Sequence, residues 1–230
     1  MNDSKALAAA TWFGYGRWGA PYWFVGMEPG GKDEDANYDS WLELGGGELI
    51  DCKKHHLHPM NTGTDGKKFF LGDRPPTQTT WRRLIQTRFA FKGQEKQAAN
   101  LDDVAKFQSE SFGSICGDTA LIELSALHAG SLKDNVDRET HFPNRLLHIA
   151  KRLDENPLTE FALFYGLKYR DHYECLAGGP FDTDGFRWRG NTLCVLTRHP
   201  VRSKPDPWIA LGKQIRERIE HVSSNPDRNP

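Results

Sequence analysis

The chain has 230 residues, enough for one α/β domain with a substantial core and too few for two domains of ordinary size. Hydrophobic residues make up 37% and charged residues 27%, so the composition excludes a disordered chain. The 30 lysines and arginines nearly cancel the 31 aspartates and glutamates. This balance excludes a protein that coats nucleic acid through its overall charge, but it permits a local basic surface.

No stretch of the sequence approaches the roughly 18 to 20 unbroken apolar residues that a membrane span requires, and the N-terminus lacks the basic region of a secretory signal. The four cysteines (52, 116, 175 and 194) are far apart and form no CxxC pair, which favours reduced thiols over a disulfide framework. We therefore expect a cytoplasmic monomer without a membrane partner. The prediction is a single α/β domain over residues 1–222 and a disordered tail at 223–230.

Four strands are predicted in chain order. The apolar run at 22–26 leads into the turn signal Pro29-Gly30-Gly31. The second strand, at 119–127, follows a helix-like stretch at 101–116. The third, at 161–166, follows residues 144–156, in which apolar residues recur at helical spacing. The fourth, at 192–197, precedes an amphipathic helix at 206–222.

Strands that alternate with helices predict βαβ units with right-handed crossovers. The expected fold is a three-layer α/β structure, with a four-stranded parallel sheet covered by helices on both faces. Residues 38–91, which include a helix-like segment at 79–89, are predicted to pass over the active edge. Ligands in such sheets bind at the carboxyl ends of the strands, and the two motifs considered next occupy that edge.

The first motif is Gly26-Met27-Glu28-Pro29-Gly30-Gly31, at the end of the first strand. Its glycines and proline predict a tight turn that presents Glu28 beside exposed backbone N–H groups. A carboxylate in this position can orient a water molecule or accept a hydrogen bond from a ligand. The alternative is an ordinary turn with an incidental acidic residue.

The second motif, Thr197-Arg198-His199-Pro200-Val201-Arg202, follows the fourth strand. It presents an imidazole between two guanidinium groups at the strand end. A histidine held by the following proline can donate a hydrogen bond to an oxygen that gains negative charge. The alternative is a surface histidine in a basic loop.

In this order, the two motifs resemble those of the uracil-DNA glycosylase superfamily, in which the first strand ends in a G-x-x-P-G-type loop and the fourth in an H-P-containing loop. The resemblance is closest to the single-strand-selective and mismatch-specific branches, where Asn stands at the position of Glu28. It covers about half the chain and implies a four-stranded parallel sheet between helices.

The resemblance implies hydrolysis of the N-glycosidic bond of a modified base in DNA, with base flipping and without a cofactor. Glu28 and His199 would be the catalytic residues: Glu28 would orient the attacking water, and His199 would hydrogen-bond the departing base. The residues expected to contact the substrate follow from the same two loops and the end of the second strand: Gly26, Met27, Pro29, Gly30, Ser125, Arg198, Pro200 and Arg202.

The sequence also departs from this family. Val201-Arg202-Ser203 follows the H-P pair where the family often has Ser, and the second strand offers Glu123 and Ser125 where the family often has a base-reading Asn. A carboxylate accepts hydrogen bonds but does not donate them, so a different base edge or ligand is favoured. The alternative function is therefore a catalytically inactive protein that binds a base, a nucleotide or single-stranded nucleic acid. A hydrolase of an unrelated small molecule is a third hypothesis.

Cys52, His55, His56 and His58 are the one group of residues that resembles a metal site. Their spacing matches no common zinc motif, and a histidine-rich loop is the favoured interpretation. The cysteine spacing also lacks the close pair of the superfamily's iron–sulfur branches. We therefore expect neither a metal nor another cofactor.

Overall fold

The structure is a computed structural model that describes residues 3–27, 29–30, 35–61, 65–129, 139–202, 204 and 206–224. These residues form a seven-stranded mixed sheet between layers of helices. The strands are β1 (Gly14–Tyr15), β2 (Tyr22–Gly26), β3 (Leu49–Ile50), β4 (Thr119–Glu123), β5 (Phe161–Tyr165), β6 (Phe186–Arg189) and β7 (Thr192–Thr197).

The α-helices are α1 (Asp3–Thr11), α2 (Asp35–Glu43), α3 (Cys52–Leu57), α4 (Thr79–Phe91), α5 (Glu95–Ala99), α6 (Leu101–Glu110), α7 (Phe142–Glu155), α8 (Arg170–Ala177) and α9 (Asp206–Ser223). Short 3₁₀ helices lie at Asp65–Phe69, Leu167–Tyr169 and Pro200–Arg202. The helices predicted within 79–89, 101–116, 144–156 and 206–222 are thereby confirmed, and α6 ends earlier than expected, at Glu110.

The strand order is β3-β1-β4-β2-β5-β7-β6. The four predicted strands are β4, β2, β5 and β7, which lie side by side and run parallel. The prediction of a four-stranded parallel sheet is nevertheless wrong, because β1 and β6 pair antiparallel to β4 and β7, and β3 extends the edge beside β1. β1 and β3 have two residues each, too few to show a period in the sequence, and β6 (FRWR) reads as polar.

The core lies on both faces of the sheet, because successive side chains of a strand point to opposite sides. In β2, Tyr22 and Phe24 pack towards α4, α6 and α9. Trp23 and Val25 pack on the other face, against α7 and α8. We call these sides the first face and the second face of the sheet. The continuous apolar runs of the central strands follow from this burial on both sides.

The C-terminal helix α9 runs to Ser223, one residue into the predicted tail, and residues 225–230 of that tail lie outside the described residues. Within the described parts of the chain, no helix is long and apolar enough to cross a membrane. The thiols of Cys52 and Cys194 are buried, whereas Cys116 and Cys175 are exposed. Burial raises the pKa of the Cys194 thiol to about 12.

Candidate functional site

The last residues of the four central strands face the same side of the sheet at its carboxyl edge. Gly26 of β2 lies opposite Glu123 of β4, and Tyr165 of β5 lies opposite Thr197 of β7. By the alternation of side chains, all four belong to the first face. We call these residues, together with His199 in the loop after β7, the strand-end cluster.

Two polar side chains pack closely against Gly26. A Cβ atom placed on Gly26 would lie 2.3 Å from Tyr165 Oη and 2.7 Å from Glu123 Oε2. No positive φ requires glycine at this strand position, so the requirement is for room. The absence of a side chain at Gly26 therefore allows a phenol and a carboxylate to approach one point at the end of the sheet.

Tyr165 connects this point to the second sequence motif. Its ring contacts the His199 ring edge to face, with 5.7 Å between the centroids. His199 is exposed, and its Nδ1 accepts the Val201 backbone N–H at 3.4 Å. This contact favours the tautomer in which Nε2 carries the hydrogen, so the imidazole presents a hydrogen-bond donor at the carboxyl edge of the sheet.

The loops after β2 and β4 are joined by backbone hydrogen bonds. Ser125 N donates to Met27 O at 2.7 Å, and Ala129 N donates to Pro29 O at 3.2 Å. His128 Nδ1 lies 3.3 Å from the carbonyl oxygen of Gly30. Met27, Pro29 and Gly30 of the first motif thus contact the loop that follows β4.

The other predicted site residues have different surroundings. The Met27 side chain packs into the core of the second face, and Ser125 is buried, with Oγ accepting the Leu127 N–H at 3.1 Å. Pro29 and Pro200 are buried, whereas Gly30 and Arg198 are exposed. Glu28 lies outside the described residues. Arg202 ends the 3₁₀ helix after His199, and its side chain also lies outside them.

A buried arginine supports the end of β4. Arg145 of α7 is 1% exposed, and its guanidinium donates to the carbonyl oxygens of Leu124 at 2.6 Å, Glu123 at 2.8 Å and Ala9 at 3.2 Å. It also lies over the Phe13 ring, 4.3 Å from the centroid. Burial lowers the pKa of the Arg145 guanidinium to about 9, while the Glu123 carboxylate opposes the shift, so the group is charged at neutral pH.

Cys52, His55, His56 and His58, which we call the histidine cluster, have partners within the protein. Tyr15 Oη donates to His55 Nδ1 at 3.0 Å, and His55 Nε2 donates to the Asn37 carbonyl at 2.9 Å. His56 Nδ1 donates to the Cys52 carbonyl at 2.8 Å. Among the described residues, no three His, Cys, Asp or Glu side chains are arranged to hold a metal ion.

Burial keeps Cys52, His55 and His56 of the histidine cluster uncharged. Burial lowers the pKa of His55 to about 3, and it also lowers the pKa of His56. Burial raises the pKa values of Cys52 and Tyr15, so the Tyr15 hydroxyl remains the donor to His55. These hydrogen bonds and pKa shifts give the cluster a structural role.

A surface groove of about 790 Å³ lies elsewhere, between β6 and the C-terminal part of α9. Arg218, in its lining, binds Asp184 at 3.1 Å and Asp182 at 3.5 Å. The groove lies at the edge of the sheet, and β5 and β7 separate β6 from β2. The strand-end cluster is therefore the stronger candidate for chemistry.

Two residues of the site were not identified from the sequence. Tyr165 ends an apolar strand directly before Gly166, and the strand-end argument that selected Gly26 could have selected it as well. Arg145 stands four and eight residues before Ile149 and Leu153, which are buried on the same stripe of α7. A charged residue on an apolar stripe is a detectable signal of a buried polar contact.

The sequence matches no family model and no curated protein. The assignment of a function therefore depends on the geometry of the candidate site.

Proposed function

We propose that the protein is a DNA N-glycosylase of the uracil-DNA glycosylase type, which hydrolyses the N-glycosidic bond of a modified base. The observation that carries the proposal is the position of His199, whose Nε2–H is presented beside Tyr165 at the carboxyl edge of four parallel strands. The order of the two sequence motifs along the chain supports the same assignment.

Breaking the N-glycosidic bond leaves negative charge on the departing base, and a fixed donor lowers the barrier by stabilising that charge. His199 has the donor, and the Tyr165 ring limits its orientation. The exposed Arg198 adds a cation beside His199 that can contact a DNA phosphate. In this proposal, Glu28 orients the water that attacks the sugar carbon.

The test is a base-release assay on labelled oligonucleotides, single-stranded and double-stranded, that carry uracil, hypoxanthine, xanthine or oxidised pyrimidines. Wild type is compared with His199→Ala and Glu28→Gln, and with His172→Ala as a control in α8 on the second face. We expect His199→Ala to lower the rate of base release by about two orders of magnitude or more, because it removes one charge-stabilising donor. His172→Ala should keep the wild-type rate.

If wild type releases no base at any salt concentration but still binds a base, a nucleotide or a strand, the glycosylase proposal fails. The protein would then be a binding protein for such ligands, the alternative function favoured by Glu at position 28. If Glu28→Gln keeps full activity, the water-orienting role of Glu28 is wrong, and the role of His199 is unaffected.

A further inference from the structure

Arg145 holds two successive carbonyl groups at the point where β4 ends. Its Nε donates to the carbonyl oxygen of Leu124 at 2.6 Å, and its Nη2 donates to that of Glu123 at 2.8 Å. Successive peptide groups of a pleated strand point to opposite sides, whereas these two carbonyls meet the same guanidinium. The chain bends at Leu124, directly after β4, so the arginine holds the start of the loop that follows this strand.

The amide sides of the same two peptide units bond to the first sequence motif. Leu124 N donates to the carbonyl oxygen of Gly26 at 3.0 Å. Ser125 N donates to the carbonyl oxygen of Met27 at 2.7 Å. The C=O and N–H of a trans peptide unit point in opposite directions. Each unit therefore lies between the guanidinium on one side and the first motif on the other.

The guanidinium that begins these two chains of hydrogen bonds is charged and sealed from water. Arg145 is 1% exposed, and its pKa of about 9, lowered by burial, leaves it a cation at neutral pH. Its third hydrogen bond reaches the Ala9 carbonyl at 3.2 Å. In the part of the chain that the structure describes, its hydrogen bonds thus all go to neutral backbone acceptors.

Burying a cation without a hydrogen-bonded carboxylate is costly, and an apolar side chain of similar size would fill the position at lower cost. A charged donor has one effect that an apolar side chain lacks. It polarises each peptide unit, which makes the N–H of that unit a stronger donor to the next acceptor. Here the next acceptors are the carbonyl oxygens of Gly26 and Met27.

We propose that Arg145 is a positioning residue that fixes the main chain of Gly26 and Met27 through the two peptide units at the end of β4. Glu28 follows Met27 in the sequence, and in the proposed function its carboxylate orients the attacking water. The catalytic consequence of the inference rests on that function. A misplacement of about 1 Å in a catalytic group can lower the rate by about a hundredfold.

The first measurement is amide hydrogen exchange, resolved by residue with nuclear magnetic resonance, in wild type and Arg145→Lys. Lysine keeps the charge but lacks the planar edge with two donors. Exchange at Leu124 and Ser125 should become on the order of tenfold faster relative to Leu163 of β5, whose amide reports the stability of the central sheet. Arg152→Lys, half-exposed on the same helix, is the matched control and should leave this ratio unchanged.

Base release tests the consequence for catalysis. Arg145→Lys should lower kcat on the order of tenfold or more and leave KM within about twofold, because the buried arginine acts on the catalytic loop and not on the bound strand. Glu28→Gln removes the group on which Arg145 acts. Adding Arg145→Lys to Glu28→Gln should therefore lower kcat by under about twofold. Equal effects of Arg145→Lys in the two backgrounds would overturn the action through Glu28.

Wild type itself provides a test that needs no folded variant. Couplings across hydrogen bonds, measured by nuclear magnetic resonance, should join Arg145 Nε to the carbonyl carbon of Leu124, and the amide nitrogen of Ser125 to the carbonyl carbon of Met27. Couplings between β5 and β7 are the reference. The inference is wrong if the reference couplings are present and these two are missing.

The inference and the proposed function fail separately. If exchange at Leu124 and Ser125 follows Leu163 in folded Arg145→Lys, the inference is overturned whatever the activity; circular dichroism establishes the fold. If wild type releases no base while the local exchange responds, the proposed function fails and the positioning of residues 26 and 27 is supported. Base release with an unchanged kcat in Arg145→Lys would refute the positioning role and leave the glycosylase in place.

Discussion

The histidine cluster collects its potential ligands within residues 52–58, whereas the strand-end cluster takes its members from four strands and a loop that are far apart in the sequence. In the first, both ring nitrogens of His55 are used by neighbouring groups of the protein. In the second, Tyr165 is half-buried and His199 is exposed. The residues that are close in sequence form a structural cluster. The residues that the sheet brings together from distant parts of the chain form the candidate site.

Tyr15 lies between the two regions. Its hydroxyl donates to His55, and the nearby Glu123 carboxylate contributes, after burial and Cys52, to raising its pKa. If the histidine cluster is structural and the strand-end cluster is functional, substitutions in the histidine cluster change stability and leave ligand binding intact. Substitutions in the strand-end cluster and its support change binding.

The largest effect is expected for Arg145→Met, which tests the support of the strand-end cluster. Loss of the guanidinium leaves buried carbonyl oxygens at Glu123 and Leu124 without their donors, and the free energy of unfolding should fall by about 3 to 5 kcal/mol. Urea unfolding measures this change. Arg152→Met, which removes a half-exposed ion pair to Glu48 from the same helix, should lower stability by under about 1 kcal/mol. Similar losses in the two variants would contradict the support role.

The stability that the histidine cluster contributes should depend on pH. The pKa of His55 is about 3 in the folded protein and 6.5 in the unfolded chain, so between these values the unfolded state binds more protons. The stability contributed by neutral His55 is therefore complete above pH 6.5 and falls by about 1.4 kcal/mol per pH unit as the pH drops towards 3. Urea unfolding at pH 7 and pH 5 should show the loss.

The matched variants for this pH effect are His55→Gln and Asn61→Ala. His55→Gln removes one titrating group and should reduce the dependence of stability on pH, while His56, whose pKa burial also lowers, still contributes. Asn61→Ala removes a hydrogen bond to the His55 carbonyl, of 2.6 Å, and should lower stability without changing the slope. A slope in His55→Gln as steep as in wild type would assign the effect to another group.

The smallest effect is expected for Tyr15→Phe. Removal of the hydroxyl leaves the buried Nδ1 of His55 without its donor, at a cost of about 1 to 2 kcal/mol in the free energy of unfolding. Base release should be unchanged. Tyr22→Phe, whose hydroxyl donates to the exposed Glu160 carboxylate at 3.2 Å, should cost about 0.5 kcal/mol. Loss of base release in folded Tyr15→Phe would show that the two clusters act as one unit.

The four central strands were predictable because each is an apolar run bounded by turn signals, and each is buried on both faces. β1, β3 and β6 were not, because their pairing depends on the free edges of β4 and β7 and on each other rather than on their own pattern. The same distinction applies to the site. Gly26 and His199 stand at readable strand ends, whereas the role of Arg145 depends on carbonyl groups that only the fold brings to it.

The sequence by itself determined the α/β class, the parallel centre of the sheet and the edge at which its two loops open, since hydrophobic period and turn residues act locally. Only the tertiary structure decided which side chains share a face at that edge. Strand register placed Glu123 beside Gly26 and Tyr165 beside Thr197, and a one-residue shift would have turned those side chains to the other face. Tertiary contacts likewise gave the histidines at 55 and 56 their structural partners, because burial and hydrogen bonding depend on what packs around a residue.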